Sequence, residues 1–169
     1  MKEKGFSLIE LMVVMILIGF SISLVAPSLS RFSKTVELKG AAKKISGILR
    51  YCRSEAVNRG QVYQVLFDPN LREVRVQLME SGGEKGKDEK KEEKSGKKIY
   101  FLPEGVQMKG IQIAPSQYPS EIPLIEFYPN GGSNGGMILL GTQGAQQYKI
   151  KVSFLTGMVE LGKAERSER

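Results

Sequence analysis

Residues 1–27 of the chain read MKEKGFSLIELMVVMILIGFSISLVAP, and this stretch decides how the whole sequence is organised. Residues 6–26 are apolar apart from small hydroxyl side chains and a single charged residue, Glu10. As an α-helix this run is about 32 Å long, which is enough to cross the hydrocarbon core of a membrane. The rest of the chain is polar, rich in glycine and alternating in hydropathy. The sequence therefore divides into an apolar anchor and one soluble domain.

Two ordinary kinds of membrane signal explain this amino terminus incompletely. A cleavable secretory signal has an apolar core of about 7–15 residues followed by a small-residue cut site. The apolar run here is longer and ends at Ala26-Pro27-Ser28 without such a site. A plain signal anchor explains the length of the run, and Lys2 and Lys4 on the cytoplasmic side. It does not explain Glu10, because an unpaired carboxylate inside an apolar membrane helix is costly and is usually functional.

The junction MKEKG/FSLIE at residues 1–10 closely resembles the class III signal of type IV pilins and pseudopilins. The resemblance implies that prepilin peptidase cleaves between Gly5 and Phe6 and that the new amino group of Phe6 is methylated. Glycine suits a cleavage site because it has no Cβ to keep a peptidase away from the backbone. The resemblance also gives Glu10 a role in assembly. Its carboxylate would lie beside the methylated ammonium group of a neighbouring subunit, which neutralises two charges in lipid.

An amphipathic helix is predicted over residues 28–60, and glycine at its end, in Asn58-Arg59-Gly60, can adopt the left-handed conformation. Together with the anchor, residues 6–27, it forms one helix of about 80 Å, gently bent at Pro27. Lysines and arginines, Arg53 among them, occupy much of the polar face. Cys52 is interpreted as a small buried hydrophobe, with a reactive thiol as the alternative. The apolar face recurs at three- and four-residue steps: Leu29, Phe32, Val36, Ala41, Ile45, Leu49, Cys52 and Ala56.

Beyond Gly60 the hydropathy period changes to two, which predicts short antiparallel strands. Asp68-Pro69-Asn70 is predicted to be the turn of a hairpin. The predicted fold class is α+β, with the long helix packed on a β-rich domain of two sheets over residues 61–169. The clearest buried strand face is predicted at Tyr148, Ile150, Val152 and Phe154. The predicted strands are Gln61–Phe67, Glu73–Met79, Lys98–Leu102, Val106–Ile113, Leu124–Tyr128, Met137–Leu140, Tyr148–Leu155 and Met158–Leu161.

Two further segments are predicted to be loops. Residues 81–98 have no hydrophobic side chain and nearly balanced charge, which is typical of a mobile loop between strands. Residues 130–136, NGGSNGG, match neither a Walker loop nor a dinucleotide fingerprint. They are interpreted as a flexible strand connection.

The carboxyl-terminal half resembles the GspH and FimT group through residues 125–132, residues 136–138 and residues 148–157. This implies a minor pseudopilin, a structural subunit of the periplasmic pseudopilus of a type II protein secretion system. Its implied partners are prepilin peptidase, other major and minor pseudopilins and the inner-membrane assembly platform. The implied location is the bacterial inner membrane, crossed once, with a cytoplasmic amino terminus and a periplasmic domain.

The alternative is a FimT-like minor pilin of a type IV pilus, some of which bind DNA. Their basic signature follows the final glycine, and Gly157-Met158-Val159-Glu160 departs from it. Nucleic acid is therefore not an expected partner, although the net charge is +7.

Composition disfavours an enzyme, which is the rival function from another class. The chain has no histidine, a single cysteine, and only Asp68 and Asp88 as aspartates. A catalytic site would need a Ser–Lys or Glu–Glu arrangement, and the sequence contains no recognisable one. We expect neither catalytic residues nor a cofactor or metal site.

Overall fold

The computed structural model describes residues 7–79, 98–116, 120–144 and 146–164, with the backbone alone for residues 23–32. Within these residues the chain forms one long α-helix followed by eight β-strands in two antiparallel sheets. The predicted α+β class with two sheets is confirmed. The predicted leader at residues 1–5, Phe6 and residues 81–97 of the predicted charged loop lie outside the described residues.

The helix α1 spans Leu8–Arg59, 52 residues, and is about 78 Å long. It continues without interruption across Pro27. Gly60 ends it in the left-handed conformation, with φ 65°, and donates its backbone N–H to the carbonyl of Ala56. The helix stop predicted from glycine at this position is confirmed.

The second half of α1 buries one face in the domain. The predicted apolar positions from Ala41 to Ala56 are buried, as are Leu38 and Ile48. Val36 was predicted on the same face, but its side chain is 52% exposed. Five residues separate Val36 from Ala41, which turns it about 140° away around the helix. The side chains of the predicted Leu29 and Phe32 lie outside the described residues.

The strands form two four-stranded sheets, in the orders β3-β2-β1-β5 and β4-β6-β7-β8. All eight predicted strands are present, with ends displaced by up to three residues. Their bounds are β1 Val62–Asp68, β2 Glu73–Met79, β3 Lys98–Phe101, β4 Gln107–Ile113, β5 Leu124–Phe127, β6 Gly136–Gly141, β7 Gln147–Val152 and β8 Val159–Ala164. The predicted hairpin between β1 and β2 is confirmed, and the Asp68 carboxylate accepts the backbone N–H groups of Asn70 and Leu71.

One hydrophobic core joins α1 to both sheets. Leu49 and Ala56 of the helix belong to the same buried cluster as Phe67 of the first sheet and Ile150 of the second. The helix therefore holds the sheets together as well as covering them.

A buried polar row crosses three strands of the first sheet. Gln77 on β2 donates its side-chain amide to the Gln64 carbonyl oxygen at 2.7 Å. Gln64 on β1 donates in turn to Glu126 on β5 at 3.0 Å. The hydroxyl of Tyr128 donates to the second oxygen of Glu126 at 2.9 Å. The bond between Gln64 and Glu126 favours the observed register of β1 and β5, because a slip would take the Gln64 donor away from the fully buried Glu126.

Cys52 lies on the buried face of α1 with no exposed surface. Burial raises the pKa of its thiol to about 12, an effect that the charge of Lys98 reduces and that of Glu55 increases. The environment fits the interpretation of Cys52 as a buried hydrophobe rather than a reactive thiol.

We expect the Cys52 thiol of the folded protein to react with a thiol reagent at pH 8 at least about a hundredfold more slowly than in denaturant, because burial leaves very little thiolate. The raised pKa also means that the thiol stabilises the fold at neutral pH. That contribution should diminish as the pH rises from 9 towards 12. Reagent incorporation followed by intact mass measures the two rates, and equal rates in the folded and denatured protein would contradict the burial.

Candidate functional site

The first half of α1 presents apolar side chains on every side. We call residues 8–22 the apolar half of α1. Its large side chains are exposed in the isolated chain, Phe20 being 71% exposed. A continuous apolar surface of this kind is stable only against lipid or other protein chains. The exposed side chains are Leu8, Ile9, Leu11, Met12, Val13, Val14, Met15, Ile16, Leu17, Ile18, Phe20 and Ile22.

Glu10 lies in the first turn of α1, within the apolar half. Its side chain is exposed, and the amino-terminal end of a helix favours a negative charge. Gly5 and Phe6, the predicted processing residues, lie outside the described residues.

Of the residues that the structure describes, no helix is long and apolar enough to cross a membrane. The predicted span, residues 6–27, extends beyond the side chains described in this region at both ends. It stays a prediction.

Two arginines attach the second half of α1 to the carboxyl-terminal hairpin. Arg53 donates its Nε–H to the carbonyl of Thr156 at 2.8 Å, and its Nε lies 3.4 Å from the carbonyl of Gly131. Arg50 donates to the carbonyl of Val159 at 3.1 Å. The sequence placed Arg53 on the solvent face of the helix, whereas its side chain is half-buried. Helical spacing alone could not reveal this contact, because the Thr156 carbonyl is 103 residues from Arg53 in sequence.

The glycine-rich connection between β5 and β6 is packed inside the domain. Residues 131–135 are buried, which corrects the prediction of a flexible connection. Ser133 donates its backbone N–H to the carbonyl of Phe154. Asn134 accepts the backbone N–H of Glu126 and donates to the carbonyls of Ala114 and Leu124. Glycine lets this segment approach the β7–β8 turn closely: a Cβ on Gly135 would lie 3.1 Å from the Phe154 backbone.

Phe154 is not part of the buried strand face predicted for it. Tyr148, Ile150 and Val152 are buried as predicted, but β7 ends at Val152, and the chain turns at residues 154–156. The turn breaks the two-residue alternation, so the Phe154 side chain is 65% exposed. Leu155 and Met158 beside it are 80% and 57% exposed. We call Phe154, Leu155 and Met158 the apolar turn.

Gly157 lies where the apolar turn meets the glycine-rich connection. Its φ is 59°, in the left-handed region, and a Cβ there would lie 2.5 Å from the carbonyl oxygen of Gly131. The Arg53 side chain contacts the same point, with its Nε 3.2 Å from the position of that Cβ. Glycine is therefore required at residue 157 by both its conformation and its close contact.

The fold and its amino terminus define a class of protein: a pilin-like subunit with a long helix, apolar in its first half, that carries a two-sheet domain. The prokaryotic N-terminal methylation motif matches residues 1–26. The sequence model of the type II transport protein GspH family matches residues 41–156, more than half of the chain. The chain belongs to this family and is a minor pseudopilin of type II protein secretion.

Related proteins agree with this placement. Type II secretion system protein H of Xanthomonas campestris pv. campestris is 28% identical over 159 residues, which cover 94% of this chain and 83% of that protein. The minor pseudopilin EpsH of Vibrio cholerae has a TM-score of 0.57 at 18% identity, covering 80% of this chain and 99% of that one. The type IV minor pilin FimU of Pseudomonas aeruginosa has a TM-score of 0.53 at 16% identity, over 78% and 92% of the chains. At these identities the structural likenesses show a shared fold alone.

We expect Gly157→Ala to destabilise the folded domain by about 2–4 kcal/mol, because it adds left-handed strain and forces Gly131 or Arg53 to move. Gly60→Ala is the matched control. Gly60 also has a positive φ, 65°, but a Cβ there meets nothing within 4 Å. It should cost only the conformational strain of about 1 kcal/mol. Urea unfolding of the two variants measures the difference, and equal losses would contradict the close contact at Gly157.

Proposed function

We propose that the chain is cleaved between Gly5 and Phe6 and methylated at Phe6, and that the apolar half of α1 then assembles it into a periplasmic filament. Before assembly the apolar helix holds the protein in the inner membrane, with the domain on the periplasmic side. The partners of this process are prepilin peptidase, the inner-membrane assembly platform and the other pseudopilins. The FimT-like alternative remains a type IV pilus subunit, and no contact of the described residues favours it.

The observation that carries the proposal is the separation of two apolar surfaces on one helix. From Leu38 to Ala56 one apolar face of α1 is buried in the domain's own core. From Leu8 to Ile22 its apolar side chains are exposed on every side. The domain core is therefore complete without the apolar half, which is left for lipid before assembly and for neighbouring helices afterwards.

In this proposal Glu10 sets the axial position of neighbouring helices in the filament. Apolar helix packing is tolerant of small shifts along the axis, since one aliphatic contact replaces another. A carboxylate surrounded by apolar side chains is costly unless it meets a positive charge. The methylated amino group of a neighbouring Phe6 supplies that charge in only one relative position. Pairing the two therefore selects one register among many of similar packing energy.

We infer that the chain acts as a structural subunit and catalyses no reaction, in agreement with its family. The roles assigned to its carboxylates are structural: Glu10 takes part in the proposed charge pair at the helix terminus, and the buried Glu126 serves the strand register of the first sheet. DNA binding would require clustered basic side chains after Gly157. In the described residues that follow, Lys163 is accompanied by Glu160.

The first prediction of this function concerns processing. Protein isolated from its own host should begin at a methylated Phe6, because the peptidase acts on the Gly5–Phe6 bond. Gly5→Val should block cleavage by adding a branched side chain beside the bond. Lys4→Arg, which keeps the charge next to the junction, is the control. Intact mass and amino-terminal sequencing decide the matter, and a mature chain that still begins at Met1 would refute the processing step.

The second prediction concerns Glu10. Glu10→Val should leave membrane insertion, cleavage and folding intact, because it removes a costly charge from an apolar helix. It should exclude the subunit from the filament and lower secretion, since the register pair is lost. Met12→Val, a neighbouring apolar exchange, should assemble normally. The readouts are exoprotein in the medium and co-purification with the other pseudopilins.

Normal assembly of the Glu10→Val protein would show that the register role is wrong for this subunit. Loss of twitching or DNA uptake, with secretion unchanged in a deletion strain, would instead favour the type IV pilus alternative.

A further inference from the structure

The edge strand β3 has little apolar burial to hold it in the domain. Among the described strands it pairs with β2 alone, and none of its four side chains is buried. Ile99 and Phe101 are 51% and 68% exposed. The other edge strand of the same sheet, β5, provides the comparison. It also has four residues, but all four side chains are buried. Strands with few buried contacts are the first to open in a folded domain.

An open cavity of about 260 Å³ lies between β3 and α1. Ile45 and Ile48 line it on the side of the helix, and Tyr100 and Leu102 line it on the side of the strand. Folded domains contain few voids larger than a water molecule, because their interiors are close-packed. The helix and β3 therefore lack the tight packing that joins α1 to the rest of the core.

Two contacts between a cation and an aromatic ring join β3 to α1. The Lys44 ammonium group of the helix lies 5.3 Å from the centre of the Tyr100 ring. The Lys98 ammonium group of the strand lies 5.4 Å from the centre of the Tyr51 ring. Lys44 and Tyr51 are about two helical turns apart on one side of α1, and Lys98 and Tyr100 share one face of β3. Both contacts therefore form together, although each is weak where it is exposed to solvent.

One end of β3 is fixed more firmly than the other. Just after the strand, Leu102 donates its backbone N–H to the carbonyl of Arg72 at 2.9 Å, and its side chain is buried. At the beginning of the strand, Lys98 is exposed. A strand with one fixed end and weak lateral contacts can turn about that end while the rest of the sheet keeps its pairing. Such local opening needs less free energy than unfolding of the domain.

We propose that β3 is a lid on α1, which opens about Leu102 while the rest of the domain stays folded and uncovers the helix face from Ile45 to Cys52. The two ring contacts hold the lid closed. Ile48 lines the cavity and Cys52 lies about one helical turn further on, so opening brings water to both. Burial raises the pKa of the Cys52 thiol to about 12, and the positive charge of Lys98 lowers it in part, which places the beginning of β3 close to this thiol.

The lid regulates how much apolar surface the domain presents. When β3 is closed, the apolar face of α1 in the domain is covered. When β3 is open, part of that face becomes accessible on the same helix that carries the apolar half. This inference does not rest on the proposed function, because it concerns the folded subunit before any assembly.

Hydrogen exchange of the full-length protein in detergent, followed by mass spectrometry, tests the opening. The backbone amides of β3 should exchange at least about tenfold faster than those of β5, because opening frees the first strand and leaves the second one paired. Equal exchange in the two edge strands would overturn the proposal.

Two substitutions test the contacts that hold the lid closed. Lys44→Met removes the cation and keeps the apolar stem, and Tyr51→Leu removes the ring. Each should speed exchange in β3 by about two- to fivefold and leave β5 unchanged. Lys44→Arg and Tyr51→Phe are the matched controls, since they keep the cation and the ring, and they should exchange as the unchanged protein does. If the controls exchange as fast as Lys44→Met and Tyr51→Leu, the ring contacts do not hold the lid.

The reaction of Cys52 with a thiol reagent shows how far the opening reaches. Each rate is divided by the rate of the same variant in denaturant, which removes differences in intrinsic reactivity. Lys44→Met and Tyr51→Leu should speed the reaction about two- to fivefold, and the double variant roughly tenfold. Lys98 is left in place, because its charge acts on the thiol directly.

Gly157→Ala distinguishes the lid from unfolding of the whole domain. This variant weakens the other sheet and leaves β3 and its ring contacts unchanged. It should therefore leave the reaction of Cys52 at its original rate under native conditions. Acceleration by Gly157→Ala equal to that by Lys44→Met would show that Cys52 is reached by global unfolding and would overturn the lid. A Cys52 rate that the two lid variants leave unchanged would overturn it as well.

Discussion

The burial of one face of α1 between Leu38 and Ala56 is the interaction on which the rest of the structure depends. This face contributes to the single core shared by both sheets. It also sets the position of Arg50 and Arg53, whose bonds to backbone carbonyls attach the β7–β8 hairpin. Without the helix, the apolar faces of both sheets would lose their common cover, and the hairpin would lose its attachment. The same helix begins in the apolar half, so one continuous helix joins the domain to the surface proposed for assembly.

Much of this fold could be predicted from the sequence because its information is local. The change from a three-to-four-residue period to a two-residue period at Gly60 marks the end of the helix and the start of β1. The turn at Asp68 is determined by a side chain that bonds to its own neighbouring backbone. The error at Val36 was also local in origin. The predicted apolar face was extended from Ala41 back to Val36, although the five-residue step places Val36 on another side of the helix. Only the packed domain shows where the buried face ends.

The errors elsewhere have a different cause, because they depend on contacts distant in sequence. Alternation continues to Phe154 in the sequence, but the chain turns after Val152 to meet the glycine-rich connection and Arg53. Glycines at residues 131–136 predicted flexibility, since glycine serves both mobile loops and close backbone contacts. Only the structure distinguishes these uses. The burial of Glu126 also depends on a distant contact, because a glutamate in a strand is usually exposed and its donor Gln64 lies 62 residues away in sequence.

Processing at Gly5 and register at Glu10 are proposed to depend on partners outside the chain, a peptidase and a neighbouring subunit. The resemblance of the first ten residues to a known signal predicts the roles of Gly5 and Phe6, and Glu10 lies exposed in the first turn of α1. In the proposed assembly its partner is the amino group of another subunit, so this pairing is a property of the filament and not of a single chain. The same reasoning applies to the apolar half of α1, whose exposed side chains would be covered by lipid or by neighbouring helices in the proposed assembly. In the described residues, α1 buries one face in the core from Leu38 to Ala56 and exposes its apolar half, and the proposed assembly gives that exposed surface the apolar neighbours that it lacks in one chain.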